Sequence, residues 1–435
     1  MLPIRPHQDF DLCRTGPTRK PGLRAVERFS PRLRVGLVLK AANLSCLILL
    51  ESLLPVMALA GVPRFEAQVI DPLIGNVCYA VTKADVNGDG KLDIVAVSEN
   101  RVQWYEAPSW TKHIILEDQT ELENVCIAAH DIDGDGQVDF ALGAGWIKAN
   151  SGTIQWITRG AKPDDKWSVH FIGQEKTTHR MSVADVLGTG RPQVVVSPLT
   201  RSVEGAAGVR LLAFEIPSQP KTDRWPLTVL DQSVNRMHAH THADWDGDGK
   251  LDSIVAGEAG VFLIQRKGDA FTKTLLGTGA SGDKPELRGA GEIKVGKLKN
   301  GGRFLATVEP MHGTSVAVYI ANADGSLPMR RVVIEETLKQ GHAVWAADLD
   351  ADGTDELVIG HREAGTGPVK GPGLYVFSSE DDTGTKWSKH VIDDGGVAVE
   401  DALAADFNGD GRIDLVAGGR ATKNVKLYLN VGPAR

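Results

Sequence analysis

The sequence predicts an all-β fold, a seven-bladed β-propeller. An acidic motif recurs along the chain, a series of strand-opening aromatic residues keeps step with it, and successive copies lie about 46–59 residues apart, the length of one four-stranded blade. The motif, D-x-[DN]-x-D-G-x-x-D, stands at residues 85–93 (DVNGDGKLD), 131–139 (DIDGDGQVD), 244–252 (DWDGDGKLD), 348–356 (DLDADGTDE) and 406–414 (DFNGDGRID). Decayed copies fill the gaps at 185–193 (DVLGTGRPQ) and 296–304 (GKLKNGGRF).

In chain order, residues 1–60 read as a leader. Basic residues from Arg5 to Lys40 precede an apolar run over 44–60 that ends Ala58-Leu59-Ala60 before Gly61, the pattern of a signal peptide with its cleavage site. A secreted or periplasmic protein is therefore expected, with the propeller over 61–435 and no membrane segment beyond the leader. Glu51 and Pro55 interrupt the run and argue against an uncleaved anchor. Next comes an alternating segment opening at Phe65, then outer strands opening at Trp110, Trp167, Trp225, Phe271, Met329 and Trp387, which makes seven. The chain closes on 424–429 without an outer strand of its own, so residues 64–70 are expected to supply the last blade's outermost strand and close the ring. Cys78 and Cys126 fall at equivalent strand starts and read as buried thiols before they read as a bridge. With 48 basic against 56 acidic residues and a net charge of −8, no nucleic-acid partner is expected, and the oligomeric state is left open.

The acidic motif fits calcium, which takes six to eight hard oxygens at flexible geometry. The ligands would be Asp85, Asn87, Asp89, the carbonyl of Lys91 and Asp93 in the first loop; Asp131, Asp133, Asp135, Gln137 and Asp139 in the second; Asp244, Asp246, Asp248, Lys250 and Asp252; Asp348, Asp350, Asp352, Thr354 and Glu356; and Asp406, Asn408, Asp410, Arg412 and Asp414. Up to five structural Ca2+ ions are thus expected. An ion-free Asx turn is the alternative, and converging carboxylates without a cation weigh against it.

Six residues before each motif, at the start of each inner strand, stand Tyr79, Val125, His179, His238, His342 and Glu400. Neighbouring positions add Arg180, Asp401 and His240, the last on the same side as His238 by the period of two. Loops after the second strands bring Glu309, His312, His361, Arg362 and Arg420 to the same face, and blade five also carries Glu292. Imidazoles and carboxylates at a common mouth suit a divalent metal, Zn2+ or Mg2+, with acid/base groups beside it. A water-filled polar channel is the plainer alternative. His130, His170, His242 and His390 read as packing or surface residues.

The motif repeats resemble the FG-GAP or VCBS repeats of integrin-type propellers. A narrower resemblance lies in Gly291-Glu-Ile-Lys, Val308-Glu-Pro-Met-His-Gly-Thr-Ser-Val, Gly341-His-Ala-Val-Trp-Ala-Ala-Asp, Val399-Glu-Asp and Gly418-Gly-Arg, which look like the propeller domain of fungal aldos-2-ulose dehydratase. That enzyme processes 2-keto sugars such as anhydrofructose and carries cupin domains, to which the resemblance does not extend. It implies a small sugar or glycan as partner and a lyase reaction that begins with removal of a proton next to a carbonyl. Non-catalytic binding of a glycan or protein is the rival reading, and polysaccharide cleavage a third, for which Trp104, Trp146 and Trp345 would have to line a groove.

Overall fold

Short runs of alternating or fully apolar residues, each broken by an acidic turn or a glycine, dictate strands of five to nine residues. The structure, a computed structural model, describes residues 63–147, 151–201, 207–369 and 371–433. By contacts the chain divides at residues 57/58, and the described residues all belong to the second unit. The expected leader over 1–60 lies outside them.

A strand β1 (Pro63–Asp71) comes first. Blade 1 follows as β2 (Cys78–Ala84), β3 (Asp93–Ser98), β4 (Arg101–Glu106) and β5 (Thr111–Glu117), and blade 2 as β6 (Asn124–His130), β7 (Asp139–Ala144), β8 (Thr153–Thr158) and β9 (Ser168–Gln174). Blade 3 is β10 (Thr178–Ala184), β11 (Gln193–Pro198), β12 (Val209–Glu215) and β13 (Leu227–Val234); blade 4 is β14 (Met237–Ala243), β15 (Asp252–Gly257), β16 (Gly260–Lys267) and β17 (Ala270–Gly277). Blade 5 is β18 (Ile293–Lys297), β19 (Arg303–Glu309), β20 (Ser315–Ile320) and β21 (Arg330–Glu335); blade 6 is β22 (Lys339–Ala347), β23 (Glu356–Glu363), β24 (Gly373–Ser379) and β25 (Trp387–Asp394). Blade 7 takes β26 (Val399–Ala405), β27 (Asp414–Gly419) and β28 (Val425–Pro433), and its fourth strand is β1, antiparallel to β28 with Ala67 opposite Tyr428.

Hydrophobic burial is concentrated between blades. Ile154 and Trp156 of blade 2 share one cluster with Val194, Leu212 and Phe214 of blade 3. Blade 7 packs on both sides: Tyr428 joins Val358 and Val376 of blade 6, and Leu427 joins Ile94 and Tyr105 of blade 1. Outer-strand tryptophans sit in these seams with their indole N–H capped by main chain, Trp167 by Pro163 O at 2.9 Å and Trp387 by Gly384 O at 2.9 Å.

A polar latch reinforces several seams. The Tyr105 hydroxyl donates to Asp71 at 2.8 Å while Lys112 approaches the same carboxylate at 3.2 Å, which ties β1 to blade 1. Tyr428 donates to Asp393 at 2.8 Å with Lys426 beside it, tying blade 6 to blade 7. These buried hydroxyls and carboxylates are satisfied as a set, the condition under which buried polar groups persist.

Candidate functional site

Antiparallel pairing between the first two strands of a blade is interrupted at one recurrent place. The ladder skips a residue between Cys78 and Ala80, Asn124 and Cys126, Thr178 and Arg180, Met237 and Ala239, Gly341 and Ala343, and Val399 and Asp401. The residues left out of the ladder are Tyr79, Val125, His179, His238, His342 and Glu400, the six positions that repeat alignment singles out. A bulge of this kind re-aims a side chain and lets consecutive residues share a face. Three of the bulges are entered through a left-handed residue two positions earlier: Thr177 (φ 61°), Arg236 (φ 39°) and Gln340 (φ 55°).

The bulged histidines meet. His179 Nε2 lies 3.3 Å from His238 Nε2, and one ring nitrogen from each of His179, His238 and His342 falls within 4.8 Å of the others. His312, from the loop after β19 and itself left-handed at φ 53°, brings its Nε2 to 2.9 Å from His238 Nε2. His342 donates from Nδ1 to the Glu400 carbonyl, so its buried Nε2 keeps a lone pair with no protein partner. Glu292 Oε1 stands 3.0 Å from His238 Nδ1 and 2.5 Å from Arg180. Nitrogens sharing one tetrahedral zinc at ~2.0–2.1 Å would stand about 3.3–3.4 Å apart, a separation that His179 and His238 have at 3.3 Å, with a His342 nitrogen within 4.8 Å of both.

Protons are a poor substitute for a metal here. Burial, helped by Arg180, Arg362 and the neighbouring imidazoles, holds His179, His238 and His342 well below the usual histidine range and His312 down at about 2. Around the cluster, Glu400 is clamped by Arg362 at 2.5 Å and Arg420 at 2.8 Å. Arg420 also lies over the Tyr79 ring at 5.5 Å, and Trp146 packs beside both Tyr79 and His179.

Other expected site residues go elsewhere. Glu309 is fully buried, but its carboxylate receives Tyr319, Thr307 at 2.8 Å and Arg331 at 2.6 Å, a latch within blade 5. The sequence placed it at the axis because it ends β19, yet its side chain points into the sheet stack. His361 donates to Glu363 O at 2.8 Å and packs on Tyr375, on the opposite side of β23 from Arg362. His240 lies one step down the axis, its ring nitrogens on Ser182 (2.8 Å) and Ser197 (2.9 Å). Asp401 accepts the Val81 N–H at 3.0 Å, bridging blades 7 and 1. Trp104 is buried under His113 and lines no groove. Ser182 and Lys294 were not foreseen; the period of two from Arg180 and Glu292 was the available signal.

Below the imidazoles runs a cavity of about 550 Å³ lined by residues of all seven inner strands, among them Arg180, Glu292, Lys294 and Asp401. Leu251, from the turn at 244–252, lines it too, so it reaches toward the acidic turns at the other ends of the inner strands.

Those turns are wound by their own first aspartate: Asp85 accepts from the N–H groups of Gly88, Asp89 and Gly90, with both glycines at positive φ. Carboxylates converge within 4.8 Å in three turns: Asp131, Asp133 and Asp139; Asp244, Asp246 and Asp248; Asp348, Asp350 and Glu356. The turns at 85–93 and 406–414 carry Asn87 and Asn408 at the third position, an oxygen donor without the charge. Burial and the neighbouring acids push Asp139 up to about 6 and Glu356 up to about 8. The turn at 185–193 differs: Gln193 Nε2 reaches Asp185 (3.5 Å), Thr189 (3.3 Å) and the Arg191 carbonyl, filling with an amide the centre that its relatives surround with oxygen.

Residues 151–322 match the family described as the aldos-2-ulose dehydratase β-propeller domain, and residues 85–142 match the FG-GAP-like repeat. Aldos-2-ulose dehydratase of Phanerodontia chrysosporium is 25% identical over 265 residues, which are 57% of this chain and 29% of that protein. The match therefore spans under a third of the relative's length. A chain from the crystal structure of BBS1N in complex with ARL6DN, soaked with mercury, shares the fold with a TM-score of 0.51 and 13% identity, over 86% of this chain and 99% of that one. The chain is a seven-bladed β-propeller with an FG-GAP-like repeat, similar across blades 2 to 5 to the propeller domain of aldos-2-ulose dehydratase.

Proposed function

We propose that the imidazole end of the axis binds a small sugar and dehydrates a keto sugar of the anhydrofructose or aldosulose type, around a divalent cation held by His179, His238 and His342. The convergence of buried ring nitrogens carries this reading, and the match over 151–322 supports it by including His179, His238 and His312. An all-nitrogen donor set favours Zn2+ over Mg2+. When bound, the ion would polarise the sugar carbonyl. His312, less buried than His238 or His342, is the base we assign to the proton beside that carbonyl. Burial first, then His238, Arg362 and Arg180, depresses its proton affinity, and the negative charge developing on the sugar would offset the positive groups. Arg420, 35% exposed at the mouth, is placed to take sugar oxygens while Glu400 holds it and Arg362 in position. His342→Ala should remove both bound zinc and turnover of 1,5-anhydrofructose, and full turnover by this variant would dismiss the site.

Burial of His238 and His342, each 1% exposed, favours a second reading in which the cluster only stiffens a glycan- or protein-binding disc. Calorimetry that records saccharide binding without consumption would select it.

The five intact acidic turns we assign to structural Ca2+, supported by their converging carboxylates, and the β1–β28 pairing to ring closure. Open, surface turns of this kind suit the high calcium of an extracellular or periplasmic compartment, in keeping with secretion. Cell fractionation checks the location.

A further inference from the structure

The charged side chains lining the cavity below the imidazoles are Lys83, Arg180 and Lys294 against Glu292 and Asp401, an excess of one positive charge. Arg180 is bound to Glu292 at 2.5 Å, Lys83 donates to the Ala404 carbonyl at 3.3 Å, and Asp401 accepts main-chain N–H groups from Val81 and Ala402 at 3.0 Å. His240 and His242 are satisfied by Ser182, Ser197 and Ser253 at 2.8–3.1 Å and stay uncharged, burial holding His242 down at about 4. Lys294 has no hydrogen bond or ion pair among the described residues: burial lowers its proton affinity, Glu292 and Asp401 support its charge only through space, and its ammonium rests 5.0 Å above the face of Trp345. A cation inside a low-dielectric channel draws a counter-charge.

We propose that the lower axial cavity is a binding site for a small sugar acid, its carboxylate on Lys294 and its hydroxyls on the channel wall. One excess positive charge in the lining calls for a monoanion. The volume of about 550 Å³ exceeds what a bare inorganic ion fills and falls in the range of small-molecule sites. Its wall offers the hydroxyls of Thr82 and Thr241, which have no side-chain hydrogen bond to another described residue, and the remaining lone pair of Ser182. The Trp345 indole supplies an apolar face beside the charge, the pairing of aromatic surface and polar rim that suits a sugar ring. This site adjoins the proposed keto-sugar centre and shares the Arg180–Glu292 pair with it, but the four clustered imidazoles do not line the cavity.

Isothermal titration of the full chain with D-glucuronate tests the assignment, with D-glucose and inorganic phosphate as comparison ligands. Saturable glucuronate binding is expected, weakened at least tenfold in Lys294→Met, preserved in Lys294→Arg, and weakened by salt. His342→Gln should leave glucuronate affinity unchanged even where it abolishes keto-sugar turnover, so failure of one site is distinguishable from failure of the other. Glucose binding as tightly as glucuronate, phosphate binding without glucuronate, an unaffected Lys294→Met, or no binding at all would overturn the inference.

Discussion

At the scale of single residues, the site is made by side chains that leave the β-ladder. His179, His238 and His342 are legible from sequence because repeat alignment finds the bulged position without knowing that a bulge is there. Glu309 was legible as a conspicuous acid but not as a partner of Tyr319 and Arg331, since those groups come from later strands. Glu309→Ala would leave Arg331 and Tyr319 facing an empty buried position, and a loss of about 3–5 kcal/mol is expected; thermal unfolding checks it, and an unchanged melting temperature would contradict the latch. The histidines also set an acid limit. His240 lies well below its unfolded value near 6.5 and His242 at about 4, so below pH ~6.5 the unfolded chain binds protons that the folded chain refuses. Stability is therefore complete above pH ~6.5 and falls as pH drops through that value toward 4, by up to about 1.4 kcal/mol per pH unit for each such group. Raised carboxyls work in the opposite direction, gaining stability as pH falls: Asp401, Asp93 and Asp139, each pushed up to about 6, and Glu356, pushed up to about 8. Comparison with His242→Asn isolates the ring: between pH ~7.5 and ~5 the parent's melting temperature should fall relative to that of the variant, whereas parallel profiles would contradict the burial of this histidine.

At the scale of the element, the acidic turn explains itself in sequence and its exception does not. Five copies display their oxygen donors in order, and the glycines at positive φ are where the motif demands them. The copy at 185–193 looks degenerate because Leu187, Thr189 and Gln193 stand at the third, fifth and ninth positions, and in space Gln193 points an N–H₂ group at Thr189 and the Arg191 carbonyl. Removing calcium with EGTA should lower the melting temperature of the whole chain. Gln193→Asp should make blade 3 newly sensitive to EGTA, by returning a third oxygen ligand and removing the internal donor; differential scanning with and without chelator measures this, and equal sensitivity of parent and variant would contradict the substitution logic.

At the scale of the whole molecule, the buried apolar clusters join one blade to the next. Repeat spacing made the number of blades readable, and the alternating run opening at Phe65 marked the strand that pairs with β28; the polar latches were not readable, because each joins a tyrosine to an acid of another strand or blade. Deleting residues 63–71 would expose the edge of β28 and remove Asp71 from Tyr105 and Lys112. A sharp drop in melting temperature is expected, and an unchanged melt would refute closure of the ring by this strand.

The bulge has one more outcome. Because it hands one side chain to the centre from each blade but the fifth while its neighbours stay in register, the make-up of the hub is uncoupled from the architecture of the wheel. Tyrosine, valine, histidine and glutamate already occupy equivalent spokes, so such a scaffold can exchange its reagents one spoke at a time and acquire new reactivity without relearning how to fold.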